Sequence, residues 1–419
     1  FARMAPAITT LTVLIFPMSE QLGWSRTLIA GSVSAGAIAS LVFSPVVGWA
    51  IDRFGARPVM VVSVLCLGVA MVTLAWATLP ITFYIAFSVG RIVFHTSAPI
   101  GSSTVASRWF IKKRGRAIGM IFLVGAIGGI VFTMLASLIV ENYGLKATWI
   151  TIGLVVLTVS VAPSLFLVAE RPEDIGLRPD GESPEPGDIE PEKVPKSQRV
   201  NTLEKPETTV AVTSIRQVED TSWTIGEATR TTTFWIMVTM GFTTFFVHTS
   251  IGVHMGAYFR DVGLGPTSAA LAVSVSWTIS AIGSVAWGLV TDRVPIRYAY
   301  SGMFLFQAAS TLYLIFVGGT VGVFLAAALF GIISSGSNVI PSVMYANYFG
   351  GTSLGRIRGV GEVGVLLGQA TGPVIAGILF EIQGDYTSIF TVFVLMALAC
   401  SVVVLKAKMP VKKTVQQTT

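Results

Sequence analysis

The sequence has 419 residues, of which 53% are apolar and only 12% are charged, and its mean hydropathy is +0.74. Soluble domains carry charge on roughly a quarter of their residues, so this composition excludes a soluble globular protein and indicates a chain that lies mostly in a lipid bilayer. The 28 basic and 22 acidic residues give a net charge of +6, but the basic residues occupy short segments between apolar runs and form no soluble basic face, which argues against a nucleic-acid partner.

Twelve apolar runs follow one another along the chain, six before a polar segment and six after it. They cover residues 1–19, 25–50, 58–78, 81–106, 115–139, 146–168, 233–258, 267–290, 296–317, 320–345, 355–379 and 386–405. A helix of about 20 residues crosses the hydrocarbon core, and a lipid-exposed backbone must bond within its own segment, so these runs predict helices. The expected fold is an all-α membrane protein with twelve transmembrane helices in two six-helix lobes, 1–168 and 233–405. Because the first run is short and begins at Phe1, we expect a few residues to precede it.

The polar segment 169–232 contains seven prolines among many charged residues. Such a composition cannot bury enough apolar surface to form a core. We therefore predict a largely disordered cytoplasmic linker, with one short helix near 223–230, and a cytoplasmic tail at 406–419.

Basic residues outside the apolar core concentrate on one side of this predicted topology. Only Arg26, Lys146 and Arg260 fall on the other side. Cytoplasmic loops of membrane proteins carry an excess of Lys and Arg. The pattern predicts an integral protein of the inner (plasma) membrane with both termini in the cytoplasm.

One short charged motif occurs twice. Gly-x-x-x-Asp-Arg stands at 48–53 and again at 288–293, 240 positions later, each time between two apolar runs. The repeat predicts two homologous halves. The longer form at 48–57, Gly-x-x-x-Asp-Arg-x-Gly-x-Arg, resembles the signature between the second and third helices of the major facilitator superfamily of secondary transporters.

Three further segments narrow the resemblance. Residues 22–26 (Leu-Gly-Trp-Ser-Arg), 109–119 (Trp-Phe-x-x-Lys-Arg-Gly-x-Ala-x-Gly) and 170–181 (Glu-Arg-Pro-Glu-Asp-Ile-Gly-Leu-Arg-Pro-Asp-Gly) are similar to the monocarboxylate and oxalate/formate porter branch. The resemblance departs at Ser284, where many relatives have an arginine, and near Thr9 and Thr10, where some have a lysine.

The resemblance implies that the motif aspartates hold the cytoplasmic ends of the two lobes together in the outward-facing state. A charged carboxylate near a helix N-terminus and beside arginines is stabilised by both the helix dipole and the ion pairs. Alternatively, the Asp-Arg pairs only solvate a tight turn at 48–58. The residues expected to gate the carrier are Asp52, Arg53, Arg57, Arg114, Arg116, Asp292, Arg293, Arg356 and Arg358.

Arg91 lies ten positions inside the fourth run, which places it ~15 Å from the outer boundary and close to the bilayer midplane. An arginine there costs roughly 2.5–3.5 kcal/mol and usually marks a functional site, although it can also pair with backbone carbonyls as a structural residue. His95 shares its helix face. With Trp277 as aromatic support and Asn338 from a small polar stretch of the tenth run, these residues form the predicted substrate site.

Two residues are candidates for proton coupling. Glu362 is a carboxylate about two turns inside the eleventh run, where it either binds a proton or joins the Arg356 and Arg358 cluster. His254 resembles a histidine near the outer end of the seventh helix in this branch; a hydrogen-bonded packing role is the alternative for His254 and for His248.

These features together predict a secondary active transporter, a proton-coupled symporter that moves a small, monocarboxylate-like organic anion by alternating access. Multidrug or other small-solute efflux is an alternative, and a non-transporting membrane receptor is an alternative of another class. An enzyme is not predicted, because no nucleophile has an adjacent base and no cluster has metal-ligand spacing. We expect a monomer in the lipid bilayer with protons and the anion as partners, and no cofactor or metal.

Overall fold

The computed structural model describes residues 1–181, 223–350 and 353–411, and all the regular structure in these ranges is helical. Most of the predicted linker, including the portion expected to be disordered, lies outside the described residues, as do positions 412–419 of the predicted tail.

The N-terminal lobe consists of six helical elements. They are α1 (Ile8–Leu22), α2 (Arg26–Phe54), α3 (Ala56–Thr73), α4 (Pro80–Ile92), α5 (Ala98–Trp109) and α6 (Arg114–Phe166). A π-helical turn, Val93–Ser97, joins α4 to α5, so these two form the fourth predicted span. Gly144 breaks α6 with a φ of 79°, and α6 therefore holds the fifth and sixth spans.

The C-terminal lobe follows a short helix at the end of the linker. The elements are α7 (Ile225–Ala228), α8 (Thr232–Asp261), α9 (Pro266–Arg293), α10 (Ile296–Ile315), α11 (Gly319–Phe349), α12 (Leu354–Gln383) and α13 (Thr387–Val403). With α4 and α5 taken as one span and α6 as two, the described residues form twelve spans in two groups of six. Eight of the described helices are long and apolar enough to cross a membrane.

The first Asp-Arg motif is mostly helical, whereas the sequence predicted a tight turn at 48–58. Residues Gly48 to Phe54 form the last turns of α2, and only Gly55, with a φ of 93°, separates it from α3. Glycine adopts this conformation without steric cost, so one residue reverses the chain. Asp52 therefore projects from a rigid helix end.

The first residues of the linker form a strap, residues 169–181, against the same end of the N-terminal lobe. Glu170 accepts a hydrogen bond from the backbone N–H of Ala56 at 3.3 Å and pairs with Arg108. Asp180 accepts bonds from the backbone N–H groups of Ile111, Lys112 and Lys113, at 3.1, 2.8 and 3.2 Å. The strap thus ties the chain between α5 and α6 to the start of α3.

Each lobe has its own apolar core. Phe83, Phe87 and Trp149 are fully buried in the N-terminal lobe, and Phe259 and Phe304 are fully buried in the C-terminal lobe. Between the lobes, α2 packs against α12 and α6 packs against α9. These two contacts bring both Asp-Arg motifs to one end of the bundle, called here the aspartate end.

Candidate functional site

The two motif aspartates bond to helix N-termini of the opposite lobe. Asp52 accepts hydrogen bonds from the backbone N–H groups of Gly355 and Arg356 at 2.8 and 2.7 Å, in the first turn of α12. Asp292 accepts bonds from Gly115 N–H at 2.6 Å and Arg116 N–H at 3.2 Å, in the first turn of α6, and from Arg116 Nε at 3.0 Å. The first N–H groups of a helix lack partners within it and carry partial positive charge, so each carboxylate caps a helix of the other lobe.

A second pair of contacts also joins the two lobes, one to two helical turns farther from the aspartate end. The Ser44 hydroxyl donates to the Gly359 carbonyl at 2.9 Å, and the Ser284 hydroxyl donates to the Gly119 carbonyl at 3.0 Å. A Cβ on Gly359 would lie 2.6 Å from the Ser44 carbonyl oxygen. The lobes therefore meet backbone to backbone. Ser284, where the resemblance had suggested an arginine, is 2% exposed in this contact and leaves no room for a long side chain.

Two arginines also cross between the lobes. Arg114 of α6 donates to the Asn347 side chain of α11 at 2.5 Å. Arg358 of α12 donates to the Pro99 carbonyl of α5 at 3.3 Å and to the Ser103 hydroxyl. Together with the aspartate and serine contacts, they close the aspartate end.

Other predicted gating residues do not reach across. Arg57 donates to the Leu165 carbonyl of its own lobe, and Arg53 and Arg293 are exposed. Among the contacts of the described residues, none of these three arginines joins the lobes, because their side chains are exposed and do not lie in the interface between the lobes. Arg356 contributes through its backbone N–H.

Arg91 is 3% exposed and lies in the last turn of α4, two residues before the π-helical turn begins at Val93. Its guanidinium lies 2.8 Å from His95 Nε2, 3.4 Å from the Pro6 carbonyl and 4.8 Å from the centre of the Phe94 ring, and its Nε has no partner. In the described part of the chain no carboxylate pairs with it. Arg91 and His95 are in contact, as their shared helix face predicted.

Sequence reasoning missed Arg3. Its guanidinium lies 5.5 Å from the centre of the Phe94 ring and 5.4 Å from that of Phe122, and it donates to the Phe94 carbonyl at 3.4 Å. Phe94 thus has two guanidinium groups beside it. The available signal was an arginine within the first apolar run.

The remaining charges of the interior adjoin Arg3. Arg3 is close enough to Arg358 and Glu362 to interact with both electrostatically, and Arg358 Nη2 lies 3.8 Å from Glu362 Oε1. Tyr345, a neighbour of both, has a buried hydroxyl without a partner. Arg3, Arg91 and Arg358 together with Glu362 are called here the arginine cluster. Of the two placements left open for Glu362, the geometry is that of the cluster with Arg358.

The other predicted site residues lie elsewhere. His254 contacts the Pro373 carbonyl at 3.1 Å and the Tyr386 hydroxyl at 3.2 Å. Asn338 donates to Ser334 of its own helix at 3.0 Å, and Trp277 is 48% exposed, two helical turns before Ser284. Among the contacts of the described residues, none joins Trp277 or Asn338 to Arg91. No group of three or more potential metal ligands occurs in the described residues.

Asp180 of the strap is the clearest case of altered acidity outside the spans. Burial raises the pKa of this carboxyl, but the backbone N–H groups of Lys112, Lys113 and Ile111, with the Lys113 charge, outweigh it and hold the pKa below its usual value. The charged form is the one that three N–H donors stabilise.

Comparison with known proteins agrees with this arrangement. The family model described as Major Facilitator Superfamily matches residues 4–321 and 237–418. The chain belongs to the major facilitator superfamily. It is therefore an integral membrane transporter and not an enzyme, and its two lobes are the two halves of the superfamily fold.

Curated relatives match over limited segments. Monocarboxylate transporter 9 of Rattus norvegicus is 29% identical over 177 residues, 41% of this chain and 32% of the relative. A probable chloroplastic anion transporter 3 of Arabidopsis thaliana is 27% identical over 145 residues, 33% of this chain and 28% of the relative. The multidrug efflux pump Tap of Mycobacterium bovis is 26% identical over 190 residues, 42% of this chain and 43% of the relative. In the first two relatives the match spans about a third of their length.

Solved structures match over nearly the whole chain. The E. coli fucose:proton symporter has a TM-score of 0.64 at 15% identity, covering 98% of this chain and 97% of its own. A human organic anion transporter has a TM-score of 0.59 at 13% identity, covering 96% and 97%. At these identities the likeness shows the fold.

Proposed function

We propose that this protein is a secondary transporter that moves a small organic anion, of the monocarboxylate class, by alternating access. The observation that carries the proposal is the arginine cluster, in which Glu362 lies 3.8 Å from Arg358 and interacts with Arg3, while Arg91 adjoins Arg3 only through the Phe94 ring. Three guanidinium groups thus share one carboxylate, and Arg91 has no carboxylate partner among the described residues. Buried charges are costly unless they are compensated. A substrate carboxylate would supply the missing negative charge.

Arg91 is the proposed anchor of this anion. None of its present partners, the His95 ring, the Pro6 carbonyl and the Phe94 ring, is an anion. A guanidinium binds a carboxylate through two parallel hydrogen bonds. Arg3, on the same phenylalanine, provides a second cation next to the anchor.

The relatives support an anion more than a cationic drug. Two of them are named as monocarboxylate and anion transporters, and the positive excess of the cluster would repel the cations that many efflux pumps carry. Efflux stays a second candidate because one relative is a multidrug efflux pump.

Alternating access follows from the lobe contacts. The aspartate end carries most of the basic loop residues, so we assign it to the cytoplasm, with both chain termini on that side. With this end closed, the described conformation corresponds to an outward-facing or occluded carrier. Opening the aspartate end would break the Asp52, Asp292, Ser44 and Ser284 contacts and expose the cluster to the other side.

Arg358 links binding to gating. The same guanidinium pairs with Glu362 in the cluster at 3.8 Å and bonds to Pro99 and Ser103 of the other lobe. An anion, or a proton on Glu362, would change the charge balance around Arg358. We infer that this change loosens its bonds to the N-terminal lobe and favours opening.

Uptake into proteoliposomes tests this function. Purified protein is reconstituted, and labelled acetate, lactate, oxalate, glucose and a cationic dye are each supplied with an inward proton gradient. The proposal expects uptake of at least one carboxylate above protein-free vesicles and none of glucose or the dye. Transport of the dye alone would establish the efflux alternative, and binding without any transport would establish the receptor alternative.

A further inference from the structure

The C-terminal lobe contains a small enclosed cavity away from the arginine cluster. It lies between α8, α10 and α11, and its polar lining consists of His248, Gln307, Ser310 and Thr311. Its volume suffices for about one water molecule. Phe330 closes one side by stacking on the His248 ring, with the ring centres 4.7 Å apart and the planes 7° from parallel.

Two of the polar atoms around this cavity lack partners. Gln307 is 2% exposed, Ser310 4% and Thr311 1%, yet Gln307 Oε1 and His248 Nδ1 are both buried without a hydrogen bond. A buried polar group left unpaired costs roughly 1–3 kcal/mol, and lipid offers no alternative partner. Such a concentration of unpaired groups in one place indicates a site that is occupied in the membrane.

We propose that this cavity is a hydrated proton-binding site, in which one water molecule bridges His248 and Gln307 and His248 takes up the transported proton. The inference deepens the proposed anion transport and rests on it. It assigns the coupling proton to His248, in place of Glu362 or His254.

The proton can be followed atom by atom. In the neutral ring one nitrogen carries hydrogen; with Nε2–H donating to Ser334 Oγ, 3.3 Å away, Nδ1 is an acceptor that faces a second acceptor, Gln307 Oε1, through the water. A proton delivered by water from one side of the membrane binds Nδ1. The imidazolium then donates Nε2–H to Ser334 and Nδ1–H to the bridging water, which donates to Gln307 Oε1. Release to water on the other side restores the neutral ring.

The surroundings of His248 contain no fixed counter-charge. The polar and aromatic side chains of the described residues that face it are Phe245 on its own helix, Gln307, Ser310 and Thr311 on α10, and Phe330 and Ser334 on α11. The rest of the cavity lining, Ile251, Leu314 and Ile333, is apolar, and none of these side chains is charged. The Phe330 ring face stabilises a cation stacked on it. A positive charge on His248 is therefore balanced best when a substrate anion occupies the space between the lobes. Protonation of His248 and binding of the anion would then favour each other.

The test separates proton coupling from anion transport. Wild-type protein and His248→Gln are reconstituted, and two quantities are measured: exchange of labelled substrate against unlabelled substrate at equal pH, and accumulation driven by a proton gradient. The expected result for His248→Gln is retained exchange with accumulation reduced to the level of protein-free vesicles. His248→Asn provides a second variant if the first does not fold, as judged by its thermal unfolding.

Gln307→Leu provides a graded test. Removing the acceptor weakens the protonated state, so gradient-driven accumulation should require a lower pH, whereas the exposed Gln383→Leu should leave the pH profile unchanged. Undiminished accumulation by a folded His248→Gln, or loss of exchange together with accumulation, would overturn the inference. Absence of both activities in the wild type would instead contradict the proposed function.

Discussion

Asp52 and Asp292 make the same contact in opposite directions. Each carboxylate accepts two backbone hydrogen bonds from the first turn of a helix in the other lobe, at Gly355 and Arg356 or at Gly115 and Arg116. Asp292 follows Asp52 by 240 residues, and the same spacing separates Gly355 from Gly115, Arg356 from Arg116 and Ser284 from Ser44. The closure of the aspartate end is thus built twice from one repeated unit, and both copies must release before this end opens.

The first prediction concerns the aspartates. Asp52→Asn keeps the shape but removes the charge, and the loss of a charge-assisted bond worth about 1.5–3 kcal/mol would increase the population open at the aspartate end by roughly 10- to 150-fold. Alkylation of a single cysteine at the buried position Ser107, with Cys66 and Cys400 replaced, reports this opening. Asp292→Asn should act alike.

Arg53→Gln is the matched control for this experiment, because Arg53 is adjacent and exposed. It should leave the alkylation rate unchanged. Equal rates in Asp52→Asn and wild type would leave the aspartate only the role of solvating the end of α2.

The second prediction concerns the backbone contact. In Gly359→Ala the new Cβ would meet the Ser44 carbonyl oxygen at 2.6 Å, so the lobes should be unable to close and the Ser107 cysteine should react rapidly. Gly302→Ala, on α10, meets nothing within 4 Å and should gain about 1 kcal/mol of helix propensity without altering gating. Slow alkylation in Gly359→Ala would show that the lobes close without this contact.

The third prediction concerns the strap. Because the pKa of Asp180 is held below its usual value, its contribution to docking is complete above the ordinary Asp pKa of about 3.9 and is lost only as pH falls through the lower folded value. Docking should therefore persist at mildly acidic pH. Asp180→Asn, which tolerates the positive φ of 60° at this position, should undock at all pH values.

Hydrogen exchange at the amides of Ile111, Lys112 and Lys113 measures this docking. The variant should exchange several-fold faster than wild type, while Glu173→Gln, an exposed change in the same strap, should not. Wild-type exchange that accelerates already between pH 6 and 5 would contradict the account.

The sequence could predict features that depend on neighbouring residues or on a repeating pattern. The spans follow from hydropathy, the duplicated halves from the two motifs, and the contact of Arg91 with His95 from helical spacing. The partners of the aspartates were indicated only in part. Arg114, Arg116, Arg356 and Arg358, which were among the expected gating residues, lie at the starts of the fifth and eleventh spans, and a carboxylate is stabilised at a helix N-terminus.

What the sequence could not predict depended on the relative position of distant segments. Nothing near Arg3 in the chain indicates that it lies against Phe94. The sequence shows that Ser284 replaces an arginine of the relatives, but the reason, its close contact with the Gly119 backbone, is visible only in the structure. Likewise, the tight loop expected at 48–58 became helix because Gly55 alone can reverse the chain. Each of these requires knowing which backbones approach one another.

The most direct test of the anion assignment is equilibrium binding of the labelled carboxylate that the carrier transports, measured for Arg91 variants in reconstituted vesicles. Arg91→Lys keeps the charge but loses the planar guanidinium and should weaken affinity, and Arg91→Gln should abolish binding. Arg260→Gln, an exposed arginine of α8, is the control and should bind as wild type does. Wild-type affinity in Arg91→Gln would contradict the account and make Arg91 a structural residue.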